Sequence, residues 1–183
     1  MNDRHLDGGA LFEALYPGFF RKPEIRGLPE DGEWEEMALW LGDFSPHTVE
    51  IPVPGGVAFG YWNGDLETLR GEVNRVDDGW PELYTEDARV YCAFDGDRPV
   101  SFCILDEMGV YDGLRVAGPG CVGTLPEYRR RGIGLKMVQN VTAILKEDGC
   151  DLSYIHYTGV GPWYAKLGYR TTARWNREGI VAG

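Results

Sequence analysis

The sequence predicts one mixed α/β (α+β) domain, a sheet carrying helices on both faces. Three observations lead there. Between Val57 and Trp175, apolar strand-like runs alternate with stretches of helical spacing, in the order strand, two helices, three strands, helix, strand, helix, strand. The chain has 183 residues, 43% hydrophobic and 13% aromatic, enough for one full core and short of two ordinary domains. Residues 122–135 read as the end of a strand, a tight turn and the first turn of a helix, the joint of an α/β unit.

Each element has its own signal. Residues 57–62 are apolar and aromatic and read as a strand. Asn63-Gly64-Asp65 turns the chain, with Asp65 an N-cap. Leu66, Leu69, Val73 and Val76 then recur at helical spacing until Asp77-Asp78-Gly79. Trp80-Pro81-Glu82-Leu83-Tyr84 reads as a short second helix with proline in its first turn. Residues 89–94 and 99–105 are β-rich and joined by Asp95-Gly96-Asp97-Arg98, a hairpin signal. Residues 115–125 form the next strand, with a bulge or late start expected at Pro119, which has no N–H for a ladder. Ile133, Met137, Val138, Val141, Ile144 and Leu145 line one face of a long helix that Gly149 ends. Residues 152–157 are a strand, 162–169 a short helix stopped by Gly168, and 169–175 a final strand.

The turn before the long helix carries the chemistry. It contains R-x-x-G-x-G: Arg129, Gly132 and Gly134, with Arg130 and Arg131 beside them. Glycine lets the backbone turn sharply and approach a ligand closely. A helix N-terminus presents unpaired N–H groups and partial positive charge, which suits phosphate oxygens. The local reading is a diphosphate site. It is not a P-loop, which requires Gly-Lys-Ser/Thr where Leu135-Lys136 stands. Nor is it a dinucleotide fingerprint, whose first glycine is replaced here by arginine. An ordinary strand-to-helix connection with solvated arginines uses the same residue types, so the turn alone leaves both readings open.

A second motif follows at the expected distance: Pro162-Trp163-Tyr164-Ala165-Lys166-Leu167-Gly168-Tyr169. Together the two motifs resemble those of the GNAT N-acetyltransferase superfamily, over roughly residues 54–175. The family's turn, V-x-P-x-Y-R-x-x-G-x-G, is matched by Pro126, Tyr128, Arg129, Gly132 and Gly134, with Thr124 where valine is common. Its later F-Y-x-K-L-G-F-like helix end is matched by Trp163, Tyr164, Lys166, Leu167, Gly168 and Tyr169. One departure stands out: Tyr157 occupies a position where many members carry an asparagine that bonds the pantetheine arm.

The resemblance implies a mostly antiparallel sheet and acetyl transfer from acetyl-CoA (coenzyme A), as co-substrate, to a primary amine of a small molecule or peptide, without metal. It implies that Arg130, Arg131, Gly132, Ile133, Gly134 and Leu135 cradle the pyrophosphate and that Val122, Gly123 and Thr124 pair with the pantetheine amides, with Arg129 in the same binding set. It also implies Tyr164 as the general acid that protonates the departing thiolate. A phenol is protonated at neutral pH and has a proton to give. The base is not assigned: Glu107, Asp112, His156 and a water chain remain open, and the position where some members place a glutamate falls near Gly118. Trp62, Trp80, Tyr84 and Tyr111 are candidates for the acceptor pocket. An alternative in a different class is a non-catalytic acyl-CoA-binding module on the same scaffold.

Residues 54–183 are assigned to this domain, and residues 1–53 to an N-terminal extension rich in Pro, Gly and aromatics. Glu36-Met37-Ala38-Leu39-Trp40-Leu41 reads as a strand or as one face of a helix. Residues 11–19 weakly echo the stretch around Tyr164, so a remnant of a preceding lobe of the same kind is one option, and an extension packed on the sheet or another subunit is the other. A homodimer through this segment or the last strand is an open route.

Bulk properties narrow the partners. A net charge of −11 argues against nucleic acid and against an anionic membrane surface. No apolar run approaches the ~20 residues that span a bilayer. Met1 to Tyr16 lack a basic start and an apolar core, so they do not read as a secretory signal. Cys92, Cys103, Cys121 and Cys150 form no C-x-x-C and read as free thiols, which gives a cytoplasmic expectation. Cys121 reads as strand packing, not as a nucleophile. His5, His47 and His156 lie far apart and do not have the spacing of a zinc site.

Overall fold

A computed structural model describes residues 6–182. His5 and the start of the stretch examined for a signal peptide lie outside the described residues. Eight strands form one sheet: β1 (Trp34–Trp40), β2 (Val57–Tyr61), β3 (Val90–Asp95), β4 (Arg98–Tyr111), β5 (Leu114–Thr124), β6 (Leu152–Thr158), β7 (Arg170–Asn176) and β8 (Gly179–Ala182). Their order is β2-β3-β4-β5-β6-β1-β7-β8. Every neighbouring pair is antiparallel except β5 and β6. The helices are α1 (Gly8–Leu15), α2 (Pro23–Arg26), α3 (Leu66–Asn74), α4 (Ile133–Glu147) and α5 (Gly161–Ala165).

Strand alternation divides the core between two faces. Cys92, Val100 and Phe102 point towards α3, packing on Leu69, Val73 and Tyr84. On that same face Val116, Leu152 and Tyr154 pack on Leu11 of α1. Cys103, Leu105 and Ala117 point the other way, onto Met137, Val141 and Leu145 of α4. Met37, Leu39 and Ile155 join them there, against Val138, Tyr164 and Leu167. The expected N-cap forms, with Asp65 accepting from the Thr68 N–H at 2.8 Å.

Several details differ from the sequence expectation. The expected short second helix is a single 3-10 turn, Pro81–Leu83. The strand expected to end at Leu105 runs on to Tyr111, and the chain adds a hairpin strand, β8, after the expected last one. The irregularity expected at Pro119 lies just beyond it: Ile104 pairs with Gly120 and Phe102 with Gly123, so Cys121 and Val122 bulge, with Cys121 at φ +48.

The N-terminal segment supplies a strand inside the sheet. β1 lies between β6 and β7 and pairs with both. It therefore offers no open edge to a second copy, whereas β8 forms one edge, with Ile180 and Val181 exposed. Among the described residues, no helix is long and apolar enough to cross a membrane.

β5 and β6 make the site possible. They pair only at Val116 with Leu152 and Ala117 with Ser153. At Gly118 the strands still nearly touch, since a Cβ there would sit 1.8 Å from the Tyr154 carbonyl oxygen. A side chain at that position is excluded by backbone, which accounts for glycine where a glutamate was sought. Beyond it both strands continue without pairing to each other and leave a gap in the sheet.

Candidate active site

A cleft of about 360 Å³ opens at the α4 side of this gap. One wall is the end of β5, with Val122, Gly123 and Thr124. The floor is the turn into α4, with Arg129, Arg130, Gly132, Ile133, Gly134 and Leu135. Val160, Trp163 and Tyr164 of the α5 region close the opposite side. Arg131 points elsewhere: it is not among the lining residues, and its guanidinium lies over the Tyr128 ring, 5.4 Å from the centroid.

The turn is held by several independent contacts. Arg129 Nε donates to the Thr124 carbonyl at 3.0 Å. The Tyr128 hydroxyl donates to Asp95 at 2.6 Å. Arg130 takes a left-handed conformation, φ +61, unusual for a residue with a Cβ. Gly132 caps α4 at φ +77, and a Cβ there would also meet the Pro52 carbonyl oxygen at 2.3 Å. A Cβ on Gly134 would come within 2.7 Å of Thr124 Oγ1. That hydroxyl cannot easily move aside, because it bonds Ser101 Oγ at 2.8 Å while Ser101 also donates to the Gly123 carbonyl at 2.7 Å. Both glycines are therefore required by the packing of the turn itself. In the first turn of α4 the N–H groups have no partner within the helix and face the cleft end-on. The residues present fit a diphosphate: backbone donors at a helix N-terminus, with Arg129 and Arg130 alongside.

Tyr164 is 6% exposed and sits edge-on to Trp163, centroids 4.8 Å apart, and against Tyr169 at 5.9 Å. Burial raises its phenol well above the ordinary value, so it is protonated throughout the physiological range. Tyr157 stands at φ +57, and its ring packs against Trp175 and Trp34, at 4.8 and 5.5 Å. It is not among the cleft's lining residues.

The aromatic residues considered for the acceptor do not converge. Tyr84 is fully buried, its hydroxyl donating to the Cys121 carbonyl at 2.7 Å. Trp62 stacks on Phe94 and lines a separate, smaller pocket. Trp80 packs on the α3 cluster, and Tyr111 lies at the tip of β4 beside the α1 cluster. The base candidates also separate. Glu107 is exposed on β4, and Asp112 sits in the β4–β5 turn. Burial raises the Cys121 thiol to about 11, which fits packing and not nucleophilic attack.

His156 is different. It lies on β6 on the α1 side of the sheet, and its Nδ1 is 3.0 Å from Glu36 Oε2. Glu36, on β1, is completely buried and also accepts from Trp175 Nε1 at 2.7 Å and from the Tyr157 N–H at 3.0 Å. Tyr16 stacks on the imidazole at 3.7 Å, with planes 13° apart. Asp106 of β4 points to the same face and is exposed, with its carboxyl raised by partial loss of water and that rise opposed by His156. Sequence reading missed Glu36 and Asp106. The one available signal was an acidic residue inside an apolar run, Glu36 before Met37-Ala38-Leu39.

Comparison with known proteins agrees with this geometry. Residues 86–171 match the acetyltransferase (GNAT) domain family. No protein with a curated description matches the chain. Among solved structures, a GCN5-related glucosamine N-acetyltransferase region of a fungal multi-domain GH3 β-N-acetylglucosaminidase superposes with a TM-score of 0.64 at 21% identity, covering 80% of this chain and 20% of that one. A GCN5-related N-acetyltransferase from Kribbella flavida gives 0.56 at 22% identity, over 86% and 62%. AAC(6')-Iy, in complex with the bisubstrate analogue CoA-S-monomethyl-acetylneamine, gives 0.52 at 18%, over 63% and 92%. The chain thus spans less than two thirds of the first two. At these identities the likeness establishes the fold. The family match takes in both the turn into α4 and the α5 motif, and the chain has the fold of these GNAT N-acetyltransferases.

Proposed function

We propose that this protein is an N-acetyltransferase that moves an acetyl group from acetyl-CoA to a primary amine of a small molecule or peptide, by direct attack in a ternary complex. The observation that carries the reading is that the turn into α4, the end of β5, which is unpaired on its β6 side, and Tyr164 line one cleft. In this reading the α4 N-terminus, with Arg129 and Arg130, binds the pyrophosphate. The unpaired edge of β5 at Val122–Thr124 pairs with the pantetheine amides and polarises the thioester carbonyl as charge builds on its oxygen. Holding both substrates at the gap supplies rate through proximity.

Tyr164 then protonates the leaving sulfur. Its raised pKa makes the phenol a weak acid in general, but a thiolate forming in the same buried wall is penalised by the same loss of water. Protonation of the sulfur is therefore favoured as the C–S bond breaks. The relative solved with a CoA-containing bisubstrate analogue adds support for coenzyme A as the donor.

The test is free-thiol release from acetyl-CoA with pooled acceptors: polyamines, aminoglycosides, amino acids, amino sugars and short peptides. Release that depends on one pool supports the reading and identifies the acceptor class. Silence from every pool overturns N-acetyl transfer to such amines.

A further inference from the structure

We propose that His156, held by the buried carboxylate of Glu36, is the base that takes the proton from the acceptor amine, on the face of the sheet opposite Tyr164. This inference rests on the acetyltransferase reading above.

The argument starts from the gap between β5 and β6. Tyr164 belongs to the α4 face, where Ile155 packs beside it. His156, the next residue along β6, points to the opposite face, where Phe12, Tyr16 and Phe19 surround it. Acid and base candidates thus flank the gap from its two sides, as direct attack on a thioester lying between them requires. On β5 the first position beyond the close contact at Gly118 whose side chain would point to this face is Gly120, which carries none. The space in front of it is left to groups from the neighbouring strands. A Cβ on Gly120 would lie 3.6 Å from the Asp106 Cβ, so Asp106 borders that space from β4, and His156 of β6 is near enough to Asp106 to act on its carboxyl.

The hydrogen bonds fix the imidazole. Two other N–H groups already donate to the Glu36 carboxylate, so it acts as an acceptor, and Nδ1 carries the proton. Nε2 then holds the lone pair, and among the described residues it makes no hydrogen bond. Tyr16 covers one ring face. A carboxylate that orients histidine in one tautomer and stabilises its charged form is the arrangement that makes histidine an effective base. The titratable groups around it are Glu36 of β1, Asp106 of β4, Tyr16 after α1, and Tyr154 and Tyr157 of β6. Burial and nearby carboxylates raise Tyr16 and Tyr154 far above the ordinary phenol value, so both are neutral. Asp106 and Glu36 are acidic side chains on this face, which suits a cationic acceptor beside the imidazole.

The step balances as follows. The acceptor ammonium gives one proton to His156 Nε2, which passes it to solvent. The neutral amine attacks the carbonyl carbon, and a C–N bond forms. Collapse breaks the C–S bond, and the sulfur takes a proton from Tyr164. The nitrogen loses its second proton, which restores the phenol. The products are the amide, coenzyme A thiol and one proton in solution.

The experiment uses the full-length chain, acetyl-CoA and the amine panel above. His156→Ala and His156→Gln, the latter keeping a donor for Glu36, are compared with Tyr164→Phe and Asp106→Asn. Circular dichroism and acetyl-CoA titration check fold and donor site. The expected result is a fall in kcat of at least about a hundredfold in both His156 variants. Acetyl-CoA affinity should stay within about twofold of wild type, and added imidazole should partly restore His156→Ala. Wild-type kcat in the His156 variants, with loss in Tyr164→Phe, would overturn the inference and leave the acetyltransferase reading standing. A comparable loss confined to Asp106→Asn would move the base to Asp106 and equally overturn it. If wild type acetylates no amine, the underlying reading fails and the inference fails with it.

Discussion

The two sides of the β5–β6 gap are built in opposite ways. On the α4 side the cleft is built around a stretch of backbone: the end of β5, a left-handed turn and the start of a helix. Its residues run nearly continuously from Val122 to Leu135, and its glycines are set by contacts with Pro52 and Thr124. On the α1 side stands a cluster of side chains gathered from distant segments: Tyr16, Glu36, Asp106 and His156. Backbone recognition suits a diphosphate, which is the same in every reaction. Side-chain recognition suits an acceptor, which is specific to one.

The largest expected effect falls on the backbone side. Gly134→Glu places bulk and negative charge where Thr124 Oγ1 and the diphosphate belong. Acetyl-CoA binding should fall by at least about a thousandfold in calorimetry, with the circular dichroism spectrum unchanged; retained binding would move the donor site elsewhere.

Next is the side-chain cluster. Glu36→Ala leaves Trp175 Nε1, the Tyr157 N–H and the His156 ring unpartnered in a buried site. At roughly 1 kcal/mol for each lost partner, denaturant unfolding should show about 3 kcal/mol of destabilisation. A loss under about 1 kcal/mol would mean that water replaces the carboxylate.

Tyr164→Phe should reduce kcat by about a hundredfold, close to 2.7 kcal/mol, and leave acetyl-CoA affinity unchanged. An unchanged kcat would remove Tyr164 from the mechanism.

The smallest effect concerns the ion pairs that tie α3 to the phosphate turn. Arg98 grips Glu72 with two bonds, at 2.7 and 3.0 Å, and Arg75 links Glu72 to Glu127. The hydrogen bond from Arg98 holds the Glu72 carboxyl below its ordinary 4.5. A lowered folded-state value stabilises at pH above 4.5 and is lost as pH falls through the folded value. Glu72→Gln should therefore cost about 1 kcal/mol at neutral pH and progressively less below pH 4.5. A cost independent of pH would show that packing, not charge, is responsible.

The same contrast explains what could be read from sequence. Thr124, Gly132 and Gly134 lie close together in sequence, so a local motif records them, although the Pro52 carbonyl and Ser101 that also constrain them are remote. Tyr164 was identified through a second local motif, ended by Gly168 at φ +97. β1 left no clear signal because it is buried on both faces between β6 and β7, so its apolar run has no alternation. The pairing of Glu36 with His156 joins strands far apart in sequence, and no local pattern encodes it. The gap itself depends on where β5 and β6 stop pairing, a property of two strands and not of either sequence alone. β8 and the far end of β4 were missed because both are largely exposed and neither alternates apolar with polar residues, and β8 is only four residues long.

The most direct test of the central claim, that the β5–α4 cleft is the acetyl-CoA site, is a titration of labelled protein with acetyl-CoA followed by amide NMR shifts. The account predicts the largest shifts at Ile133, Gly134 and Leu135 and at Val122 to Thr124, with little change around Trp62. Shifts centred on the Trp62 pocket, or none at saturating acetyl-CoA, would contradict it.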